Sequence, residues 1–302
     1  MIDVCLLGTG GMMPLPGRFL TSLYVRQAGD VTLIDCGEGT QTAIRSAGLR
    51  FKPIKALLLT HYHADHVSGL PGLLLTLGNE ERTEPLHVYG PVGLKRVLNA
   101  LRVIVPELPY EIVCHERDGE CSFSSGELLI TAYEARHGIP CFSYLLELSR
   151  TGKFDPAKAR QNGVPLRLWS KLQAGLSAEG FSPQDVLGKP RKGIKLLYST
   201  DTLPLERTVE LGRDADLMVL EGMFGGSEKD ERAALTQHST MLQSARLAAR
   251  ANARRLWLTH YSPATPHPEE FEEEVRSVFP NAVISMDGQM DSLRFEDQAP
   301  SP

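Results

Sequence analysis

The 302-residue sequence has no apolar run approaching the roughly 20 residues that a bilayer-spanning helix needs, so no membrane helix is expected. Its opening, MIDVCLLGTGGMMP, lacks a basic n-region and has only a short apolar part, so no signal peptide is expected either. Cysteine is scarce and odd in number: Cys5, Cys36, Cys114, Cys121 and Cys141, with no Cys-x-x-Cys pair. A disulfide framework is therefore excluded as the organising principle, and a reducing cytoplasm is the expected compartment. The loop GTGGMMP has glycines but neither a Lys-Ser/Thr ending nor a G-x-G-x-x-G spacing, which argues against a phosphate cradle and for a plain turn.

What remains is ordinary globular material, 42% hydrophobic and 23% charged, with the charge unevenly placed. Ten lysines and arginines stand between Arg150 and Lys195 against three acids, a surplus of +7 that leaves −12 on the rest of a chain whose net charge is −5. Residues 150–193 are also poor in periodic apolar runs and too long for an ordinary connection. They read as a basic arm inserted in an acidic body, an arrangement suited to holding a polyanion. A solvated lysine-rich loop is the alternative. Phe154 and Trp169 on this arm could stack on bases or simply pack.

Elsewhere strands and helices come in two similar halves. Short apolar strands such as KALLLT, GIKLLYST and ADLMVLE each end in a polar turn, and GTQTAIRSAG, GLPGLLLTLG and STMLQSARLAARANA read as helices. Ser239 or Thr240 is a candidate N-cap for the last of these, and the acidic tail after AVISMDG reads as frayed. The phrase LLLTHY at 57–62 returns as LWLTHY at 256–261. An internal duplication, with two sheets face to face and helices outside, would bring both strand ends to one edge, where their histidines meet.

The first copy runs on into His61, His63, Asp65 and His66. Residues i and i+2 of an extended chain share a face, so His61 and His63 can share one ion, while the following turn swings Asp65 and His66 to a neighbouring position. Imidazole with carboxylate suits zinc; manganese and iron remain open. His137, Asp201 and His260 each lie at or just beyond a strand end and could complete two sites. His87, His115 and His267 fall outside this pattern and read as surface or structural residues.

The H-x-H-x-D-H run with a later His, Asp and Thr-His resembles the metallo-β-lactamase superfamily. DCGEGTQ, THYHADHVSGLPGLL, GKFDPAKARQNGVP, DVLGKPRKGIKLLYSTDT, EGMF, HST and LTHYSP are similar, more narrowly, to the ribonuclease Z family of tRNA 3′-end endonucleases. The resemblance implies a single α/β domain, an αββα sandwich with an inserted flexible arm at about 150–193. It implies a hydrolase removing the 3′ trailer of precursor tRNA, with two Zn2+ per subunit, and a homodimer in which each arm reaches over the partner's site. It implies that His61, His63 and His137 hold one metal, that Asp65, His66 and His260 hold the other, and that Asp201 bridges them. Asp65 would be the general base, and Glu221 with His238 the dyad that protonates the leaving oxygen. The stretch PLPGRFLTS keeps only Pro14 and Arg18 of the family's Pro-x-Lys-Arg-Asn loop. Another di-metal hydrolase of this fold, acting on small phosphodiesters or sulfate esters, and a non-catalytic RNA binder are the rival expectations.

Overall fold

The computed structural model describes residues 1–105 and 107–296. Fourteen strands among the described residues build two seven-stranded sheets. The first half supplies β1 (Ile2–Gly8), β2 (Ser22–Gln27), β3 (Asp30–Ile34), β4 (Ile54–Leu58), β5 (Leu86–Pro91) and β6 (Ile112–Arg117). The second supplies β7 (Cys121–Ser125), β8 (Leu128–Glu134), β9 (Phe142–Arg150), β10 (Arg191–Ser199), β11 (Leu217–Glu221), β12 (Leu256–Thr259) and β13 (Ala282–Ile284), and β14 (Gln289–Leu293) crosses back to pair with β1.

The two sheets repeat one plan. In the first, ordered β14-β1-β2-β3-β4-β5-β6, antiparallel pairs run as far as β3, and β3 to β6 are parallel. The second, read β7-β8-β9-β10-β11-β12-β13, is antiparallel as far as β10 and parallel beyond it. By position β3 answers to β10, β4 to β11 and β5 to β12. The two Thr-His-Tyr phrases are therefore not symmetry mates, as the sequence repeat suggested. One follows β4 and the other β12, one place further along the sheet. They nonetheless converge, because the parallel strands of both halves end at the same edge.

Packing explains the layers. Residues alternating along each strand bury one face between the sheets, where Val4, Leu23, Leu58, Ile130, Leu146, Leu196 and Trp257 form a common core. The other face of each sheet lies under helices, giving one outer core around Leu57, Leu73 and Leu98 and another around Met218, Leu242 and Ala245. The helix Leu70–Asn79, apolar nearly all round, sits deep in the first of these. The helix Met241–Arg250 starts at Thr240, whose hydroxyl accepts from the Gln243 N–H while the Gln243 side chain accepts from the Thr240 N–H, a reciprocal capping box. Among the described residues no helix is long and apolar enough to cross a membrane.

The edge strand β7, CSFSS, is polar, and its Phe123 stacks on Tyr89 at 4.0 Å between centroids. Two readings need correction. The tail is not frayed at its start: Gln289–Leu293 is a sheet strand, and of the tail 297–302 lie outside the described residues. The basic arm is not bare loop. It holds the helices Pro156–Gln161 and Trp169–Gln173, too short to show a period, around a small core of Ala159, Val164, Leu168, Leu172, Val186 and Leu187. Phe154 and Trp169 pack against that core, 5.1 Å apart, and the Trp169 indole donates to the Val164 carbonyl. Packing thus uses both rings.

Because this small core is separate from the sandwich, Leu172→Ala is expected to destabilise the arm alone, by about 2–5 kcal/mol locally. Hydrogen exchange should quicken across 154–187 while the melting temperature of the sandwich holds. A matching drop in global melting temperature would show the arm to be integral to the main core.

Candidate metal centre

The site is assembled where the parallel strands end, the place where open α/β sheets expose loops and bind ligands. β3 delivers Asp35, β4 delivers Thr60 and His61, β10 delivers Asp201, β11 ends on Glu221, and β12 delivers His260. His63, Asp65 and His66 follow β4 on a one-turn helix, Ala64–Val67, and His137 follows β8. Three of these residues, Asp35, Asp201 and His260, adopt positive φ (60°, 54° and 58°). That region disfavours side chains, and its occupation at three strand ends means the surrounding structure holds them there.

All the candidate ligands come together. His61, His63 and His137 form one cluster, Asp65, His66 and His260 another, each with ligand atoms within 4.8 Å of one another. Asp201 lies between them: its Oδ2 is 3.2 Å from His66 Nε2 and 3.3 Å from His260 Nε2, and its Oδ1 is 3.9 Å from His61 Nε2. His238 stands on the far side, its Nδ1 2.9 Å from Glu221 Oε2. His87 and His115 pair with each other across β5 and β6 at 2.9 Å, and exposed His267 meets Glu269, so all three stay out of the cluster.

The donor set fits cations. His66 Nδ1 donates to Asp35 Oδ2 at 2.9 Å, which leaves Nε2 facing His260 Nε2, 3.2 Å away. His137 Nδ1 faces the Gln237 carbonyl at 3.4 Å, leaving its Nε2 lone pair 3.2 Å from His63 Nδ1. His61 Nε2 lies 3.0 Å from that same His63 atom. Imidazole lone pairs directed at one another have no favourable partner unless a proton or a metal ion lies between them. Asp201 Oδ2 and His260 Nδ1 are buried without a well-formed hydrogen bond, a costly state that a cation at the carboxylate would relieve.

Titration follows the same geometry. Burial would raise the Asp201 carboxyl, but His260, His66 and His61 around it hold it well below the usual range. Asp65 is likewise depressed against its own burial by His260 and His66, and its Oδ2 accepts the Met12 N–H at 2.7 Å. Burial and the neighbouring His66 push His61 down towards the neutral, ligating form. Burial would lower His238 as well, but the Glu221 charge and hydrogen bond raise it to about 9.

Several supporting residues escape a reading for ligand types. Asp35 is fully buried and accepts from the Thr60 N–H and hydroxyl as well as from His66. The Thr202 N–H donates to Glu221 Oε1 at 2.8 Å, fixing the carboxylate that holds His238. The available signal was the pattern LIDCG, an acid closing an apolar strand as in LLYSTD.

A family model described as a β-lactamase superfamily domain matches residues 31–261. The ribonuclease Z of Lachnoclostridium phytofermentans is 48% identical over 98% of this chain and 99% of its own length. That of Agathobacter rectalis is 47% identical over 98% of this chain and all of its own. Among solved structures, human tRNase Z, short form (ELAC1), matches with a TM-score of 0.71 at 24% identity over 97% of this chain and 100% of that one. A diphosphatase from the PhnP family matches at 0.67, with 18% identity over 98% and 99%. At those identities the structural likeness speaks to the fold alone.

Asp35→Ala is expected to weaken divalent-metal binding by about 10–100-fold, since a lost outer partner frees the His66 ring to turn. Competition against a chromophoric chelator measures it, and an unchanged affinity would remove Asp35 from the centre.

Proposed function

The chain belongs to the ribonuclease Z family of the metallo-β-lactamase superfamily, and from that membership we propose that it is a metal-dependent endoribonuclease removing the 3′ trailer of precursor tRNA. The observation that carries the reading at the site is the convergence of two ligand clusters on Asp201, with the His238–Glu221 pair beside them. His61, His63 and His137 would hold one ion, Asp65, His66 and His260 the other, and Asp201 would bridge both. Mixed imidazole and carboxylate favours zinc, two per subunit, with Mn2+ or iron as substitutes. Bound there, the ions would supply Lewis acidity to the scissile phosphate and lower the pKa of a water to near neutrality.

The chain's own residues divide the remaining work. Asp65 takes the proton of the attacking water; its Oδ2 is steadied by the Met12 N–H, and its depressed pKa keeps it ionised. His238 gives its Nε2 proton to the departing 3′ oxygen. Glu221 holds the opposite nitrogen at 2.9 Å, keeping the ring oriented and protonated. The basic arm contributes affinity through backbone phosphates, and in a homodimer it would reach over the partner's site. Cytoplasmic placement agrees with the five cysteines, which are all free thiols.

The direct experiment is incubation with a trailer-bearing tRNA and mapping of the cut. Absence of a cut at the 3′ end of the tRNA body, with bis-p-nitrophenyl phosphate still hydrolysed, would assign the site to small phosphodiesters instead.

Two sets of expectations follow, the first from the residue roles. Asp201→Ala should lose bound metal and turnover together, whereas His238→Ala should keep its metal and turn over about 10²–10⁴-fold more slowly. His238 acts in its protonated form. Its raised pKa preserves that form up to about 9, and bound cations push the value back down, so activity should fall through an alkaline limb at or below about 9. The His238→Ala profile should lack that limb. Loss of metal from this variant would make His238 a ligand.

The second concerns the arm. Replacing residues 152–189 by a short Gly-Ser linker should spare bis-p-nitrophenyl phosphate turnover and cripple tRNA cleavage. The wild-type KM for tRNA should also rise steeply with salt as counterions compete for the phosphates. An armless protein that is folded, in the same oligomeric state, and cuts tRNA at the original rate would reduce the arm to a solvated appendage.

A further inference from the structure

Beside the metal centre lies a second hollow, of about 550 Å³, that none of the proposed roles uses. Its size falls within the roughly 300–1,000 Å³ of small-ligand pockets. Met12, Met223, Thr236 and His238 line both this hollow and the one over the metal ligands, so the two are continuous across His238. The far part is walled by Phe224 and Phe271, with Lys229, Arg232, Glu228 and Glu270 around them.

The construction of this wall is specific. The Phe271 ring lies directly on the backbone of Gly225, where any Cβ would run into it. The Arg232 guanidinium sits 6.0 Å above the Phe224 ring. Neither Arg232 nor Lys229 has a carboxylate within ion-pair distance among the described residues. The charges at the rim balance, two of each sign. With no net positive charge, the rim does not select a phosphate over a neutral group. A nucleobase suits the same surroundings: an apolar, aromatic wall for its face, carboxylates for its amino groups, and a guanidinium for its carbonyls or ring nitrogens.

Position decides which nucleotide this is. In the reading proposed above, on which this inference rests, His238 protonates the departing 3′ oxygen. The nucleotide carrying that oxygen must therefore lie on the His238 side of the metal centre, next to this hollow. We infer that the pocket between Phe224 and Phe271 receives the base of the nucleotide immediately 5′ of the cut. That base is held on the aromatic wall with Arg232 and the two glutamates at its edges. Single-stranded RNA ends are commonly read in this manner, by stacking an unstacked base on aromatic side chains.

The test pairs two variants with two substrates. Phe271→Ala and, as a change at an exposed side chain, Arg232→Ala are assayed on trailer-bearing tRNA and on bis-p-nitrophenyl phosphate. The tRNA is made with either a normal or an abasic nucleotide 5′ of the cut. Wild-type protein should cut the abasic tRNA with kcat/KM about 5- to 100-fold below normal, the range of one lost stacking contact. Each variant should show a comparable loss on normal tRNA, no further loss on abasic tRNA, and unchanged hydrolysis of the small diester. If the variants lose as much again on the abasic substrate, or lose equally on the small diester, the pocket does not hold that base and the inference is overturned. If wild-type and variants cut both tRNAs alike, it is overturned too. A wild-type protein that cuts no tRNA would instead overturn the proposed function, which keeps the two failures apart.

Discussion

The site depends on one buried carboxylate. Asp35 is wholly removed from solvent, and an ionised carboxylate there costs several kcal/mol unless donors replace its water. It finds them in the Thr60 N–H and hydroxyl and in His66 Nδ1, with Ser22 donating to its carbonyl. These contacts tie the end of β3 to the end of β4 and fix the His66 tautomer. With Nδ1 committed, Nε2 is the nitrogen that His66 turns to the centre, the one a metal ion would take in place of a proton. Asp35 thereby converts a strand-end motif into an oriented donor without touching the space an ion would fill.

Around that anchor the chain gathers groups that repel or strain one another. Imidazole nitrogens stand 3.0–3.2 Å apart, three strand-end residues hold positive φ, and buried Asp201 Oδ2 has no well-formed hydrogen bond. Each such feature costs on the order of 1–3 kcal/mol unless something compensates it. The sandwich offsets this with three large apolar cores, one between the sheets and one under each helical layer. Strain confined to loops at one edge, on rigid strands, places ligands more accurately than mobile loops could. The same arrangement means that ion binding also stabilises the fold, because it removes repulsions that the unfolded chain lacks.

What was legible in the sequence was chemistry at strand ends. H-x-H-x-D-H, Asp201 and the second Thr-His announced themselves because titratable residues directly after apolar runs have few structural reasons to be there. Less legible was anything that depends on a partner far along the chain. Gln289–Leu293 looks polar because only Leu293 is fully buried, and it becomes a strand only through β1, nearly three hundred residues earlier. The arm's core was hidden because its apolar residues are spread over helices of five or six residues, too short for periodicity to register. The repeated Thr-His-Tyr phrase was informative about convergence and misleading about symmetry. Both copies end parallel strands, but the strand equivalent to β4 is β11, which ends on Glu221. Asp35 itself was overlooked because a search for metal ligands has no category for the residue that orients one.

The loop between β1 and β2 connects these themes. It is fastened to both halves of the molecule: Gly11 donates to the Tyr261 carbonyl, Phe19 to Asp287, and Arg18 reaches the Thr265 and Pro266 carbonyls while covering the Tyr261 ring. Its base is thus fixed by the segment that carries His260, and its Met12 N–H is delivered to Asp65. Met12 and Met13, by contrast, are largely exposed, and Met12 lines both the metal hollow and the aromatic one. A loop held at its two ends and free at its tip can change tip residues without moving the carboxylate it supports. The departure of PLPGRFLTS from the Pro-x-Lys-Arg-Asn pattern it resembles falls mainly in that tip, whereas Arg18, which is kept, is one of the fastenings. Variation there alters what the protein meets above the metal centre, while the hydrolytic geometry stays set by contacts that the same loop makes below it.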